Sequence, residues 1–284
     1  MEPSTGVVAA FGAVTIATLL IAHRLLRRLL SGQSQKTVVL GENRASSLAE
    51  AGASLALFLV GAGVVKNSVH GESLVHDVTW CAAFGALGLA LLELTGFLGQ
   101  RVLLKRRLSV SLERGNVAAG MAAGGHYVAT GVLTARAVAG SDLRGLGLSL
   151  AFFVLAQVVH QGLVAGFRML TSYDDSEQIE GENLAAAISY AGISIAVAIV
   201  IGRALEGDFV DWPTALGGFG LTSLPALGFY FLRQLFVQPV LVGGRPTLRG
   251  GALDDAIGRD RNVGAATLEA LAYSGAALAV AMLA

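Results

Sequence analysis

Eight apolar runs dominate the chain, at residues 6–22, 45–65, 78–98, 117–139, 143–167, 184–201, 212–236 and 263–284. Most approach the ~20 residues that a helix needs to cross about 30 Å of hydrocarbon. Lipid offers the backbone no water, so each run must satisfy its own N–H and C=O groups, and helix is the state that does so. The runs therefore predict an all-α integral membrane bundle of eight transmembrane helices. Composition agrees. Only 14% of the 284 residues are charged, against about 25% in a soluble domain, and the mean hydropathy is +0.65. A net charge of zero gives no field that would draw in nucleic acid. Cys81 is the single cysteine, so it can form no internal disulfide.

Loop charges predict the orientation. His23, Arg24, Arg27 and Arg28 follow the first run and no Lys or Arg precedes it, the reverse of a cleavable signal peptide. The loops before runs two, four, six and eight, with the adjoining helix ends, hold 5, 5, 1 and 5 Lys or Arg, or 16 of the 20. The opposite loops hold only Lys66, Arg136, Arg144 and Arg203. The positive-inside bias puts the richer side in the cytoplasm and both termini outside it. The loop with Asp174, Asp175, Glu177, Glu180 and Glu182 is acidic, but acidic residues weigh little in that rule.

A phrase recurs within this frame: GENRASSLAEAGAS from Gly41, RGNVAAGMAAGGHY from Arg114, GENLAAAISYAGIS from Gly181 and DRNVGAATLEALAY from Asp260. Its anchors are Asn43, Asn116, Asn183 and Asn262, separated by 73, 67 and 79 residues. Each is followed by small residues and then an apolar run. The chain thus reads as four copies of a helix pair. All four asparagines fall on one side of the membrane, so the copies are parallel repeats about an axis along the membrane normal. Pairs of these phrases, as in NRASSLAEAG followed by NVAAGMAAGG, resemble the bacterial inner-membrane family called domain of unknown function 350, of the YjfL-like type. The resemblance implies two four-helix membrane units in tandem, residues 1–140 and 141–284, in the bacterial inner membrane. It implies no activity.

The asparagines have two readings. Asn is a favoured N-cap because its side-chain oxygen accepts from a first-turn N–H, and an orphan donor near hydrocarbon is costly. The alternative is a ring of four amides lining a mouth. The small residues behind each asparagine allow close helix approach, and Gly120-xxx-Gly124 and Gly162-xxx-Gly166 fit that packing pattern.

Ionisable residues inside the runs carry the functional expectation. Seven positions past the asparagines stand Glu50, Ala123, Tyr190 and Glu269, ~10 Å below the helix ends at about 1.5 Å per residue. Glu93 and His160 stand twenty-three positions before Asn116 and Asn183. The spacing places Glu50, Glu93, His160, Tyr190 and Glu269 at one depth, with His126 ~5 Å deeper. Each such charge costs about 2.5–3.5 kcal/mol on insertion scales and usually faces the bundle interior or water. The layer suits a proton or small-cation pathway, in a channel or transporter; a neutral hydrogen-bonded network holding helices together is the other reading.

Remaining signals are weaker. His70, His76, Glu72 and Asp77 are expected as solvated loop residues and no metal site. Arg101, Lys105, Arg106 and Arg107 are expected to set topology and touch anionic lipid. Trp80 and Trp212 read as interface anchors and Pro225 as a kink in the seventh run. Residues 237–260, rich in glycine, read as a flexible loop. There is no catalytic triad, CxxC or HExxH, so neither an enzyme nor a cofactor is expected. The functional alternative to transport is a non-transporting anchor or scaffold. Its unevenly charged cytoplasmic loops would dock a soluble membrane-stress or membrane-remodelling partner. Small residues on lipid-facing surfaces make a homo-oligomer plausible.

Overall fold

The structure is a computed structural model that describes residues 4–31, 35–71, 73–103 and 108–283. Glu72, Lys105, Arg106 and Arg107, and the side chain of Arg101, lie outside the described residues. Among the described residues eight long helices follow in order: α1 Thr5–Ser31, α2 Arg44–Ser68, α3 Leu74–Leu103, α4 Val117–Ala137, α5 Leu143–Arg168, α6 Leu184–Arg203, α7 Trp212–Leu241 and α8 Val263–Leu283. Seven of them are long and apolar enough to cross a membrane, which marks a multi-pass membrane protein. The other is α4, whose 21 residues mix glycine and alanine with His126, Tyr127 and two threonines.

The four helices that begin after an asparagine stand in a row: α2 beside α4, α4 beside α6, α6 beside α8. Glycine sets their spacing. Gly52, Gly125 and Gly192 each lie nine positions past an asparagine. They press against Gly124, Ala191 and Ala270, which lie eight positions past the next one. A Cβ on any of the three glycines would collide with the neighbouring helix. Ala45 meets Gly120, Ala56 meets Gly131 and Gly63 meets Ala135, so α2 and α4 run in the same direction. Such contacts stabilise helices in lipid through close van der Waals packing, where burial of apolar surface supplies little. Gly162 and Gly166 depart from expectation: nothing lies within 4 Å of where their Cβ atoms would stand. They occupy the open side of α5, and helical spacing alone does not say which face meets a partner.

The other long helices cover one face of the row. α1 packs on α2 and α3, α3 on α2 and α4, α5 on α4 and α6, and α7 on α6 and α8. Along α4 only Val117, Met121, Val128, Val132, Ala135 and Arg136 escape full burial; along α6 only Leu184, Ile188, Ile195, Ile199 and Arg203 do. At 3.6 residues per turn these positions form one stripe per helix. The uncovered face of the row is therefore apolar over most of its length.

α7 is irregular. A 3₁₀ turn, Leu224–Leu227, holds Pro225, and a π-helical stretch, Arg233–Leu241, holds Pro239. Proline lacks an N–H and crowds the carbonyl one turn back, so neither site can continue a regular ladder. The segment 237–260 departs from the expected flexible loop. Gln238 donates to the Arg245 carbonyl and to Thr247, both at 2.8 Å, and Leu253, Asp254 and Ile257 are buried. Buried polar side chains needing partners fold the segment back onto the bundle. Trp212 stacks on Phe152 of α5 at 5.6 Å, and Trp80 is half-buried beside Phe84.

Candidate functional site

Helix α1 runs nine residues beyond the apolar run that predicts it, which carries His23 and Arg27 into the bundle. His23 is fully buried. Its Nε2 lies 2.9 Å from Glu50 on α2, and its Nδ1 is bonded to Glu93 on α3. One turn on, Arg27 donates from Nη2 to the Tyr127 hydroxyl on α4 at 2.9 Å and lies 3.9 Å from Glu93. Four helices thus meet on one imidazole and one guanidinium set among two carboxylates.

A second cluster stands at the other end of the row. Arg233, at the start of the π-helical stretch, pairs through Nε with Glu269 on α8 and through Nη2 with Asp254. All three are nearly or fully buried. Glu269 also accepts from Ser189 Oγ on α6 at 2.6 Å and from the Tyr273 hydroxyl at 3.3 Å, while Asp254 accepts from the Ser172 N–H. Ser189 continues the network, since Arg168 at the end of α5 donates to its Oγ at 3.0 Å. Arg168 pairs in turn with Asp175 and donates to the Tyr173 hydroxyl at 3.0 Å. Burial pushes the Asp175 carboxyl above its ordinary range, and the Arg168 guanidinium opposes that shift. A crevice beside this network, bordered by Arg168, Tyr230, Arg233 and Tyr273, has space for about one water molecule.

Two histidines stand between the clusters. His160 on α5 has Nε2 2.9 Å from the Ser194 carbonyl of α6, and His126 on α4 has Nε2 3.4 Å from the Thr95 carbonyl of α3. His126 Nδ1 is buried and makes no hydrogen bond among the described residues. Tyr190 is buried on α6, where it bonds Ser194.

The expected single layer is thus divided. Glu50 and Glu93 come together, but through His23. Glu269 joins Arg233 and Asp254 instead, His126 and His160 bond to neighbouring helices between the two, and Tyr190 bonds Ser194 on its own helix. The sequence reading passed over His23, Arg27, Arg168 and Arg233 as sites because all four count naturally as loop charges. The available signal was length for three of them: a helix extended one or two turns past its apolar run brings His23, Arg27 and Arg168 inside, while Arg233 already lies within the run 212–236. Among the described residues no three His, Cys, Asp or Glu side chains are grouped to hold a metal.

The asparagines cap helices and do more. Asn43, Asn116, Asn183 and Asn262 accept through Oδ1 from the N–H groups of Ser46, Ala119, Ala186 and Ala265. The first three also donate from Nδ2 to a carbonyl of the next copy's short helix: Leu112 at 2.7 Å, and Ile179 and Ile257 at 2.8 Å.

A family model described as Domain of Unknown Function (DUF350) matches residues 2–138 and again residues 141–284. No curated protein and no solved structure matches the chain.

Proposed function

Since the chain belongs to the DUF350 family, as two tandem copies of its domain, we propose that it is a bacterial inner-membrane protein that binds and moves protons at His23, Glu50 and Glu93. In this reading all eight long helices cross the bilayer as four parallel pairs. The asparagine ends face the cytoplasm and both termini face out, as the loop charges require.

The observation that carries the reading is a fully buried imidazole bonded to two carboxylates from two other helices. The imidazole fills the space between the carboxylates where a metal cation would sit, so a proton is the better cargo than Na⁺ or K⁺. With the proton on His23, two positive groups, His23 and Arg27, offset Glu50 and Glu93. Without it one negative charge is left over in a low-dielectric interior, where an unmatched charge is expensive. Proton gain and loss therefore change the force between α1, α2 and α3, which is how a proton would be coupled to helix movement.

The test is proton flux into liposomes under an imposed potential, with wild type, His23→Gln, Glu50→Gln and Glu93→Gln. Wild type should exceed protein-free vesicles and each variant should fall toward them; wild type at the protein-free level would end the proposal. A second reading, a scaffold that docks a basic cytoplasmic partner, draws on Asp174, Glu177 and Glu182, which are exposed about the short helix Asp175–Glu180. Crosslinking that recovers the same partner from wild type and from Asp174→Asn/Glu177→Gln would count against it.

A further inference from the structure

Each half of the chain sets a cation between two carboxylates, and the two cations differ in kind. Glu50 and Glu269 occupy equivalent places, seven positions past Asn43 and past Asn262. Each is buried. Each shares its cation with a second carboxylate from another element: Glu93 of α3 in the first half, Asp254 of the short helix Ala252–Asp254 in the second. In both halves that cation comes from the long helix preceding the asparagine, α1 or α7. A tyrosine eleven positions past an asparagine completes each cluster, Tyr127 beside Arg27 and Tyr273 beside Glu269. The cation differs. In the first half it is His23, whose imidazole can release a proton; in the second it is Arg233, whose guanidinium stays protonated at any pH a protein survives.

We propose that the first half alone carries an exchangeable proton, and that the second half holds the same site permanently in its protonated form. This rests on the proton reading above and assigns it a stoichiometry of one site per chain. The charged groups facing His23 are Arg24 and Arg27 from its own helix, Glu50 from α2 and Glu93 from α3, with the Tyr127 hydroxyl from α4 nearby. Release of the His23 proton leaves two carboxylates across an uncharged ring, a change only the first half can undergo. The charged groups facing Arg233 are Glu269 from α8 and Asp254, with Arg168 and Asp175 reached through Ser189. There the cation between the carboxylates is fixed. The second half then acts as the rigid end of the row against which the first half moves.

Exchanging the two cations tests this. Full-length protein with isotope-labelled histidine is titrated by NMR in lipid nanodiscs, and flux is read in liposomes, for wild type, His23→Arg and Arg233→His. The His23 ring should pass between its protonated and neutral forms in wild type. His23→Arg should lower flux to the protein-free level while its thermal unfolding stays cooperative, and His23→Gln, smaller and uncharged, should show the same loss. Arg233→His should add one titrating imidazole to those of wild type. If wild type moves no protons, transport fails but the NMR still decides where the exchangeable proton sits. Retention of wild-type flux by His23→Arg overturns the inference. So does an Arg233→His ring that never titrates, or a second proton taken up at Glu269, visible in the infrared carboxyl band, in wild type.

Discussion

The side-chain nitrogen of Asn116 lies 2.8 Å from the carbonyl oxygen of Ile179, 63 residues further along the chain. The oxygen of the same amide accepts from the Ala119 N–H at 3.1 Å. One side chain therefore starts its own helix and fastens that start to the following copy. Asn43 and Asn183 do the same, whereas Asn262 caps its helix through Ala265 and is exposed.

Alanine at these positions should separate capping from linking. Losing a cap costs about 1 kcal/mol, and losing a hydrogen bond to a buried carbonyl costs about 1 kcal/mol more. Asn116→Ala and Asn183→Ala should each lose ~2 kcal/mol, and Asn262→Ala about half of that. Thermal unfolding of the three variants in detergent measures the difference. Equal losses at all three would mean that the links to the next copy contribute nothing.

The fold lay close to the surface of the sequence because its two main signals are local: apolar length fixes each helix, and an asparagine followed by small residues fixes where one begins. The sites lay deeper. Glu50, Glu93 and Glu269 stand out because a carboxylate in an apolar run has few explanations. Their partners do not stand out. His23, Arg168 and Arg233 lie where apolar runs give way to loops, so spacing alone leaves undecided whether a helix carries them inward. Asp254 sits in a glycine-rich stretch with no periodic pattern, and only tertiary folding brings it to Arg233. Equal depth along separate helices also says nothing of lateral position, which is why Glu269 shares a level with Glu50 in the repeat yet stands at the other end of the row.

Glycine nine positions past each of the first three asparagines should be intolerant of size, and glycine on α5 should not. Gly125→Val and Gly192→Val push side chains into Ala191 and Ala270; overpacking of this kind costs about 1–3 kcal/mol. Gly162→Val and Gly166→Val meet open space and should stay within ~1 kcal/mol of wild type, the residual being β-branched helix propensity. Unfolding of all four in one detergent decides the matter; a Gly162→Val loss matching that of Gly192→Val would contradict the packing described.

Removing the cation of the second cluster should be severe, and removing the whole cluster should not. Arg233→Met leaves Glu269 and Asp254 buried without their shared counter-charge. Breaking a buried pair from one side costs about 3–5 kcal/mol. Replacing all members by apolar or neutral groups of similar volume is often near neutral, so Arg233→Met/Glu269→Gln/Asp254→Asn should recover most of the loss. A triple variant no more stable than Arg233→Met would mean that the cluster is held by hydrogen bonds to Ser189, Tyr273 and Ser172 more than by charge.

The row of small-residue helices should end at both edges because each edge carries a bulky residue where the pattern calls for a small one. Gly52, Gly125 and Gly192 face the next helix; the fourth copy has Leu271 at that place, 65% exposed. Leu268 likewise stands where Ala49, Ala122 and Ser189 stand. At the other edge Phe58, 49% exposed, occupies the place of Gly131, Ala198 and Ala277. With close backbone approach blocked on both sides, no further copy can add to the row, in keeping with the atypical end units of repeat arrays. Leu268→Ala/Leu271→Gly together with Phe58→Gly should restore the pattern at both edges. That variant should then self-associate head to tail in detergent, seen as a rise in sedimenting mass that grows with protein concentration. Wild type should show no association through these faces, and a triple variant that sediments as wild type does would show that the asparagine links and α1, rather than side-chain size, set where the row stops.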